Sequence, residues 1–367
     1  MTDGRRPLIL MNPGPVNVAE EVRAALLAPD MCHREPDFAG LMTEVRAKLT
    51  KVCGGDERHT SVVLTGSGTA AIEAAIASVL PDEGGLLVLD NGHYGRRLFE
   101  IAEVYGIRTH CLKLGWGEPI TAEAVDRALT AEPAVTHVAV VHHETSTGMR
   151  NDVAAIATVA RRHGVKIIVD AVSSVGAEEI SVADSVDWLI GSANKCLEGM
   201  PGLSFVCGER QAFEDLRTGP HRVYYLDLWR HYHAQEKSLA PAFTPAVQVF
   251  AAFGAALDRM LTEGVTGRGA RYRGLAEKLR AGLAELGLSI LLPPEHRAVG
   301  LTAVRLPANL RYQDLHQRLR AAGFVIYAAQ EQLAADYFRL STMGVMTEAD
   351  IDAFLGALER ILSEADR

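Results

Sequence analysis

The 367-residue sequence has no apolar run long enough to cross a bilayer, because such a helix needs about 20 consecutive apolar residues. Its N-terminal apolar stretch, residues 8–11, is too short for a signal-peptide core and is followed by Pro13 and Pro15. The sequence therefore predicts neither a membrane span nor a secretion signal. We expect a protein that is located in the cytoplasm.

Basic residues are also in deficit, since 37 Lys and Arg face 46 Asp and Glu, for a formal net charge of −9. A surface of this balance lacks the positive field that nucleic acids and anionic membranes require. We therefore expect no nucleic-acid partner and no membrane partner. A small anion held in a local cationic pocket remains compatible with the composition.

Metal and disulfide motifs are missing as well. The five cysteines include no CxxC pair, which disfavours a zinc ribbon or a dithiol redox site and predicts reduced thiols in the core. His231-x-His233 stands without a carboxylate-rich partner set, so we expect no metal site there and interpret residues 223–237 as a solvated or interface loop. The cysteines are Cys32, Cys53, Cys111, Cys196 and Cys207.

Strand-like and helix-like segments alternate through the first two hundred residues. Continuously apolar runs are typical of strands covered on both faces, and the amphipathic segments between them predict helices with N-caps at Thr121 and at Asn151 or Asp152. This alternation predicts an α/β fold with a mostly parallel, doubly wound sheet. The predicted strands are 61–65, 86–90, 107–112, 137–142, 166–170, 188–191 and 203–207, and the helices are 69–79, 94–105, 122–130 and one that ends near 163.

The pattern changes after about residue 208, and a chain of this length is typical of two domains. We predict a large domain over residues 1–264 and a smaller α+β domain over 265–367, with residues 1–16 in contact with the small domain. The C-terminal part has predicted helices at 245–263, 267–286, 312–322 and 348–365, and predicted strands at 302–306, 324–327 and 337–341.

Gly66-Ser67-Gly68-Thr69 joins the predicted strand 61–65 to the predicted helix 69–79. Unpaired N–H groups at a helix N-terminus bind phosphate, and glycines let the backbone approach it closely. A tight turn without a ligand is the simpler interpretation. A third interpretation extends the motif to a dinucleotide fingerprint, with Asp90, 22 residues after Gly68, as the ribose-binding acid of a nicotinamide (NAD) dehydrogenase.

Asp170 and Lys195 weigh against the dehydrogenase. Each follows an apolar strand, so both are predicted at the carboxyl edge of one sheet, where doubly wound folds bind ligands. A phosphate cradle, an acid and a lysine at that edge meet the requirements of pyridoxal phosphate. A loop-capping role for Asp170 and a surface position for Lys195 are the structural alternatives.

Several longer runs resemble the 2-aminoethylphosphonate–pyruvate transaminases, which belong to the fold-type I pyridoxal-phosphate enzymes, in the branch that includes alanine–glyoxylate and serine–pyruvate transaminases. The resemblance extends through most of the chain and is strongest between residues 60 and 206. The runs are TSVVLTGSGTAAIEAA (60–75), DNGHYGRRLFEIA (90–102), THVAVVHHETSTGMRN (136–151), IIVDAVSS (167–174) and SANKCLEGMPGLSFV (192–206).

The resemblance implies a pyridoxal 5'-phosphate enzyme that moves the amine of 2-aminoethylphosphonate to pyruvate, giving phosphonoacetaldehyde and L-alanine. Lys195 would form the Schiff base and carry protons, and Asp170 would pair with the pyridinium nitrogen. Thr244 would reach the cofactor phosphate of a partner subunit, which implies a homodimer with shared active sites. The resemblance also implies a phosphate site at Ser67, Gly68 and Thr69, ring contacts from Tyr94 and Thr145, a position near the phosphate for Asn194, and a substrate-anion contact for Arg339.

Some positions depart from that family pattern. Arg34 is interpreted either as a second cation for the phosphonate or as a structural partner of Glu35 or Asp37. Thr65 and Ala70 replace the Gln and Phe common around GSGT, which leaves the shape of the pocket open. The alternatives are an alanine–glyoxylate or serine–pyruvate type of enzyme, a transaminase of another aminophosphonate, the NAD-dependent dehydrogenase, and a catalytically silent scaffold.

Overall fold

A computed structural model of the chain describes residues 8–365. Its strands are β1 (Ile9–Leu10), β2 (His59–Thr65), β3 (Gly85–Asp90), β4 (Arg108–Lys113), β5 (Val135–Val141), β6 (His143–Glu144), β7 (Met149–Arg150), β8 (Lys166–Asp170), β9 (Trp188–Ser192), β10 (Leu203–Glu209), β11 (Leu301–Arg305), β12 (Phe324–Val325), β13 (Tyr327–Ala328) and β14 (Tyr337–Ser341). Its α-helices are α1 (Glu20–Ala24), α2 (Pro36–Val52), α3 (Gly68–Val79), α4 (His93–Val104), α5 (Ala122–Ala131), α6 (Val153–Arg162), α7 (Arg210–Asp215), α8 (Leu228–Lys237), α9 (Val247–Glu263), α10 (Val265–Glu285), α11 (Tyr312–Ala321) and α12 (Glu348–Ala365).

A seven-stranded sheet in the order β2-β10-β9-β8-β5-β3-β4 forms the centre of the molecule. The strands β9, β8, β5, β3 and β4 pair in parallel, and β10 runs antiparallel between β9 and β2. This arrangement confirms the predicted α/β fold with a mostly parallel sheet.

Helices cover both faces of that sheet, which explains why its strands are apolar without alternation. Within β3, Leu87 and Leu89 pack into the layer formed with α2, α5, α6 and α9, whereas Leu86 and Val88 pack into the layer formed with α3 and α4. Two layers of buried apolar side chains therefore hold the sheet edge in place, and the loops at its carboxyl ends are available to bind ligands.

Two of the predicted helix caps are confirmed. The Thr121 hydroxyl accepts a hydrogen bond from the Ala124 N–H (3.3 Å), and Asp152 Oδ1 accepts one from the Ala155 N–H (3.0 Å). Between α9 and α10, Gly264 adopts φ +76°, a conformation that favours glycine. The predicted separation of the helices 245–263 and 267–286 is thus confirmed, with the turn at Gly264.

The prediction of a loop over residues 223–237 is wrong for most of the segment, because residues 228–237 form α8. Asp227 caps this helix by accepting a hydrogen bond from the Arg230 N–H at 2.9 Å. His231 is buried in it with its Nε2 2.7 Å from the Tyr225 carbonyl oxygen, whereas His233 is exposed. The prediction failed because α8 is rich in aromatic and histidine residues, so its sequence shows no clear alternation of apolar and polar positions at helical spacing.

The C-terminal residues form an antiparallel sheet in the order β11-β14-β13, packed with α10, α11 and α12 around a separate apolar cluster. The N-terminal strand β1 joins this part of the molecule, since it pairs in parallel with β12 and the Met11 carbonyl accepts a hydrogen bond from the Ser341 N–H. Residues 1–7 of the predicted N-terminal contact lie outside the described residues. The domain boundary at residue 264 stays a prediction.

Among residues 8–365, no helix has both the length and the apolar character that crossing a membrane requires. The same residues contain no group of three or more His, Cys, Asp or Glu side chains arranged to hold a metal ion.

Candidate active site

A cavity of about 160 Å³ opens at the carboxyl edge of the sheet, where β2, β8 and β9 end. The fold brings seven of the sequence-predicted site residues together in its lining: Ser67, Gly68, Thr69, Tyr94, Asp170, Asn194 and Lys195. A larger cavity of about 580 Å³ lies elsewhere, beside α6 and α10, and contains none of these residues. We place the candidate active site in the smaller cavity because it holds the converging chemical groups.

The start of α3 forms one wall of the cavity. Ser67 is the N-cap residue, but its side chain makes no capping hydrogen bond, so no bond within the helix competes with a ligand for its hydroxyl. A Cβ atom on Gly68 would lie 2.8 Å from Val172 Cγ2, so only glycine lets the helix start this close to the strand end that bears Asp170. A 12-residue helix with its N-terminus at the cavity supplies N–H donors and a partial positive charge, which suits a phosphate.

Asp170 is the last residue of β8 and is only 4% exposed. Burial raises the pKa of its carboxyl group to about 6, against the lowering effect of a 2.9 Å hydrogen bond from the Val172 N–H to Oδ1. The negative charge of Glu144 raises this pKa further. Asp170 has no cationic hydrogen-bond partner in the described chain, so it is prepared to pair with a cation brought by a ligand.

Lys195 stands three residues beyond the end of β9, the strand next to β8. The surrounding protein lowers the pKa of its amine by burial, and the nearby Arg339 guanidinium lowers it further. A lowered pKa leaves more of the amine neutral and nucleophilic at neutral pH.

The N-terminal segment covers Lys195, a contact that the sequence analysis did not predict. Lys195 Nζ donates a hydrogen bond to the Pro13 carbonyl oxygen. Gly14 adopts φ +119°, which favours glycine, and a Cβ atom there would lie 2.6 Å from Lys195 Cδ. Pro13 and Gly14 therefore close one side of the site.

Tyr94 lines the cavity from the first turn of α4, and Arg97 stands behind its ring. The Arg97 guanidinium carbon lies 4.7 Å from the Tyr94 ring centroid, and Arg97 Nη1 lies 3.4 Å from Thr69 Oγ1. Arg97 was not among the predicted site residues, although its i+3 spacing from Tyr94 on one helix face was a usable signal. Its charge opposes the rise in the pKa of Asp170.

His143 also lines the cavity, although it was not among the predicted site residues. Its Nδ1 lies 3.0 Å from the Ser173 carbonyl oxygen, which can only accept, so Nδ1 carries the proton and Nε2 is a free acceptor. Burial lowers the pKa of His143 to about 3, so the ring is neutral. Its buried Nε2 has no hydrogen-bond partner in the described chain and therefore leaves an acceptor for a ligand.

Arg339 and Thr145 lie beside this cavity and contact each other. Arg339, in β14, is 4% exposed and donates hydrogen bonds to the carbonyl oxygens of Ala328 (2.9 Å) and Thr145 (3.0 Å) and to Gln330 Oε1 (3.1 Å). Within residues 8–365 it forms no ion pair with a carboxylate. A buried guanidinium held only by neutral acceptors keeps its charge for an anionic ligand.

Thr244 and Arg34 lie outside the cavity of their own chain. Thr244 is exposed and borders a different small cavity, together with Tyr225 and Phe243. Arg34 is exposed on the loop before α2 and pairs with neither Glu35 nor Asp37. The role of Arg34 therefore stays a prediction.

The sheet order contradicts the dehydrogenase interpretation. In a dinucleotide-binding fold, the strand before the glycine-rich turn and the strand that ends in the ribose-binding acid are neighbours. Here β2 and β3 are separated by β10, β9, β8 and β5, so Asp90 stands roughly 24 Å along the sheet from the glycine turn. Asp90 instead accepts a hydrogen bond from the Gly92 N–H at 3.2 Å, at the start of α4.

Comparisons with known proteins agree with this geometry. Residues 22–354 match the family model described as Aminotransferase class-V. A 2-aminoethylphosphonate–pyruvate transaminase of Vibrio vulnificus (strain CMCP6) is 38% identical over 360 residues, which cover 96% of this chain and 97% of that protein.

Solved structures resemble the whole chain. The ureidoglycine–glyoxylate aminotransferase of Bacillus subtilis has a TM-score of 0.94 at 28% identity and covers 100% of this chain and 96% of its own. The alanine–glyoxylate aminotransferase of Nostoc sp. has a TM-score of 0.92 at 27% identity and covers 99% of this chain and 97% of its own.

The chain belongs to the class-V aminotransferases. It is a fold-type I, pyridoxal-phosphate-dependent enzyme, as the resemblance implied. The cavity fits that cofactor, because it offers a helix N-terminus, a buried carboxylate, an amine and the unpartnered acceptor of His143.

Proposed function

We propose that this aminotransferase moves the amine of 2-aminoethylphosphonate to pyruvate and yields phosphonoacetaldehyde and L-alanine. The observation that carries the proposal is the buried Arg339, which pairs with no carboxylate among residues 8–365 and lies close enough to Lys195 to lower the pKa of its amine. Its unpaired positive charge suits a phosphonate in the first half-reaction and the carboxylate of pyruvate in the second. The name of the Vibrio vulnificus relative supports the same donor.

The residues at the cavity wall have distinct roles toward pyridoxal phosphate. Ser67, Gly68 and Thr69 would hold its phosphate at the N-terminus of α3, with Asn194 nearby. Asp170 would hold the pyridinium nitrogen protonated, and a ligand cation would in turn favour its ionised carboxylate. Tyr94 would stack on the ring, and Thr145 would contact the region of the ring hydroxyl.

Lys195 supplies the mobile proton. It is the one amine among the described residues that line the cavity, and its pKa is lowered, so we assign Nζ both the covalent attachment of the cofactor and proton transfer at the amine-bearing carbon of the donor. The cofactor, when bound, supplies the electron sink that this chemistry needs.

A homodimer with shared active sites would give Thr244 and Arg34 their roles. The loops that bear them are close together, since Gln248 Nε2 at the start of α9 lies 3.5 Å from Asp30 Oδ1. The same surface exposes 70% of Tyr224, whose ring lies 5.8 Å from that of Phe243, next to Thr244. Exposed aromatic side chains of this kind favour a protein interface, from which Thr244 would reach the partner's cofactor phosphate and Arg34 the partner's substrate anion.

A screen of amino donors with pyruvate as acceptor tests the proposed donor. We expect 2-aminoethylphosphonate to give L-alanine with a higher kcat/KM than serine or other amino acids. A much higher kcat/KM for serine, or for alanine with glyoxylate as acceptor, would instead assign the chain to the serine–pyruvate or alanine–glyoxylate type. We place the enzyme in the cytoplasm, a location that fractionation of cells expressing a tagged chain will check.

A further inference from the structure

Glu144, the second residue of β6, has no role in the function proposed above, yet it is fully buried. Its Oε2 accepts hydrogen bonds from the N–H groups of Tyr94 and Gly95, each at 3.0 Å. Its Oε1 accepts from the Ser146 N–H at 3.1 Å and from the Ser146 hydroxyl at 2.5 Å. Ser146 Oγ in turn accepts from the His93 N–H at 3.2 Å.

These contacts complete the N-terminus of α4. A helix leaves its first N–H groups without partners inside the helix. In α4 the Gly92 N–H is bound by Asp90, the His93 N–H by Ser146, and the Tyr94 and Gly95 N–H groups by Glu144. The N-cap residue Gly92 has no side chain to do this, so a remote carboxylate takes the place of a local cap.

The fold makes room for this carboxylate at a cost. A Cβ atom on Gly92 would lie 2.4 Å from Glu144 Cδ, so glycine is needed where the two segments meet. Glu144 has no ion-pair partner among residues 8–365, and burial raises the pKa of its carboxyl group. A buried carboxylate without a cation is costly, and stability alone is a weak reason to retain it.

The bonded groups belong to the active site. The Tyr94 N–H is held by Glu144, and the Tyr94 side chain lines the cavity. The adjacent Thr145 carbonyl accepts the 3.0 Å hydrogen bond from Arg339. The adjacent residues Glu144 and Thr145 thus bind both Tyr94, which is proposed to contact the cofactor ring, and Arg339, which is proposed to bind the substrate anion.

We propose that Glu144 is a positioning residue that fixes the first turn of α4, so that the Tyr94 ring is held against the cofactor; this inference rests on the role proposed above for Tyr94. Glu144 acts through the backbone of Tyr94 and does not touch the reacting atoms. The competing view is that Glu144 only stabilises the fold.

A double-mutant cycle separates the two views. Pyridoxal phosphate is titrated into cofactor-free wild type, Glu144→Gln, Tyr94→Ala and the double variant, and binding is followed by the visible circular dichroism of the bound cofactor. We expect Glu144→Gln to weaken binding roughly tenfold, the size of a lost charged cap, and to reduce the dichroic band. In the Tyr94→Ala background the same change should cost no more than about twofold, because the ring that Glu144 positions is gone.

Equal losses in both backgrounds would overturn the proposal and leave Glu144 with a structural role. Undiminished cofactor binding by Glu144→Gln would overturn it as well. If Glu144→Gln fails to fold, Ser146→Ala takes its place in the same cycle, because this change removes only the acceptor of the His93 N–H and one donor to Glu144. We expect Ser146→Ala to weaken cofactor binding about threefold when Tyr94 is present and not to weaken it when Tyr94 is replaced by alanine.

Glu178→Gln is the matched control. Glu178 is also buried, at 3% exposure, and accepts a 2.9 Å hydrogen bond from the Val299 N–H, but it lies outside the cavity. Its substitution should leave cofactor affinity and dichroism unchanged. None of these readouts uses an amino donor, so a wrong choice of 2-aminoethylphosphonate as substrate leaves the outcome of the cycle unaffected.

Discussion

The guanidinium group of Arg339 donates a hydrogen bond to the backbone carbonyl oxygen of Thr145 over 3.0 Å, between residues 194 positions apart in the chain. This bond joins the C-terminal sheet to the turn between β6 and β7 at the cofactor cavity. The distance between the proposed anion site and the proposed ring site is therefore set by a direct contact. Substitutions on either side of this contact should affect substrate binding and cofactor binding differently.

Arg339→Lys should raise the KM for 2-aminoethylphosphonate by at least about tenfold, because an ammonium group has no planar set of donors that could keep the hydrogen bonds to Ala328, Thr145 and Gln330 while its charge faces the substrate anion. Steady-state kinetics with saturating pyruvate measure this. Arg305→Lys is the control, since Arg305 is an exposed residue of the neighbouring strand β11. An unchanged KM in Arg339→Lys would remove Arg339 from the anion site.

Lys195→Ala should lower the rate of alanine formation by roughly a thousandfold or more, because the mobile proton is lost. The variant should also retain no cofactor on the polypeptide after borohydride reduction, which mass spectrometry of the intact chain detects. Lys166→Ala serves as the control, because Lys166 is exposed at the opposite end of β8. Covalent cofactor in Lys195→Ala would mean that another residue forms the bond.

Asp170→Asn should make the cofactor-free protein more stable at pH 8 while weakening its affinity for pyridoxal phosphate. The folded-state pKa of Asp170, about 6, lies above the ordinary value of 3.8, so the folded chain holds a proton that the unfolded chain releases between these pH values. The stability of the wild type therefore falls as the pH rises through this range, and the ionised carboxylate costs about 3 kcal/mol above it.

Urea unfolding of both cofactor-free proteins at pH 4 and pH 8 tests this sign. The asparagine amide can still accept the hydrogen bond from the Val172 N–H, so the advantage of the variant should be close to zero at pH 4 and largest at pH 8. A constant difference in the free energy of unfolding across this range would contradict the assignment of a raised pKa to Asp170.

Tyr224→Asp should convert a dimer to monomers, because it places a charge on the exposed aromatic surface beside Thr244. Sedimentation velocity reports the mass, and activity should fall together with dimer content if the sites are shared. Val104→Asp tests the effect of a charge elsewhere, since Val104 is 80% exposed at the end of α4. Dimers of undiminished affinity in Tyr224→Asp would place the interface on another surface.

Local sequence features were sufficient for the layers of the fold and for the pair Asp170 and Lys195. Strands buried on both faces are apolar throughout, and residues after parallel strands must meet at one edge of the sheet. By contrast, Glu144 and His143 carried no local signal of their contacts. Their roles depend on partners in other elements, such as the Ser173 carbonyl for His143 and the N–H groups of α4 for Glu144.

The sequence by itself determined an α/β chain with an acid and a lysine at one sheet edge, because hydrophobic periodicity and strand-end position are properties of neighbouring residues. Only the tertiary structure decided between the two uses of the glycine turn, since strand order is not encoded in any single segment and four strands separate β2 from β3. It alone also brought Pro13 to Lys195 and Arg339 to Thr145, because contacts between distant parts of the chain arise only when the layers pack together.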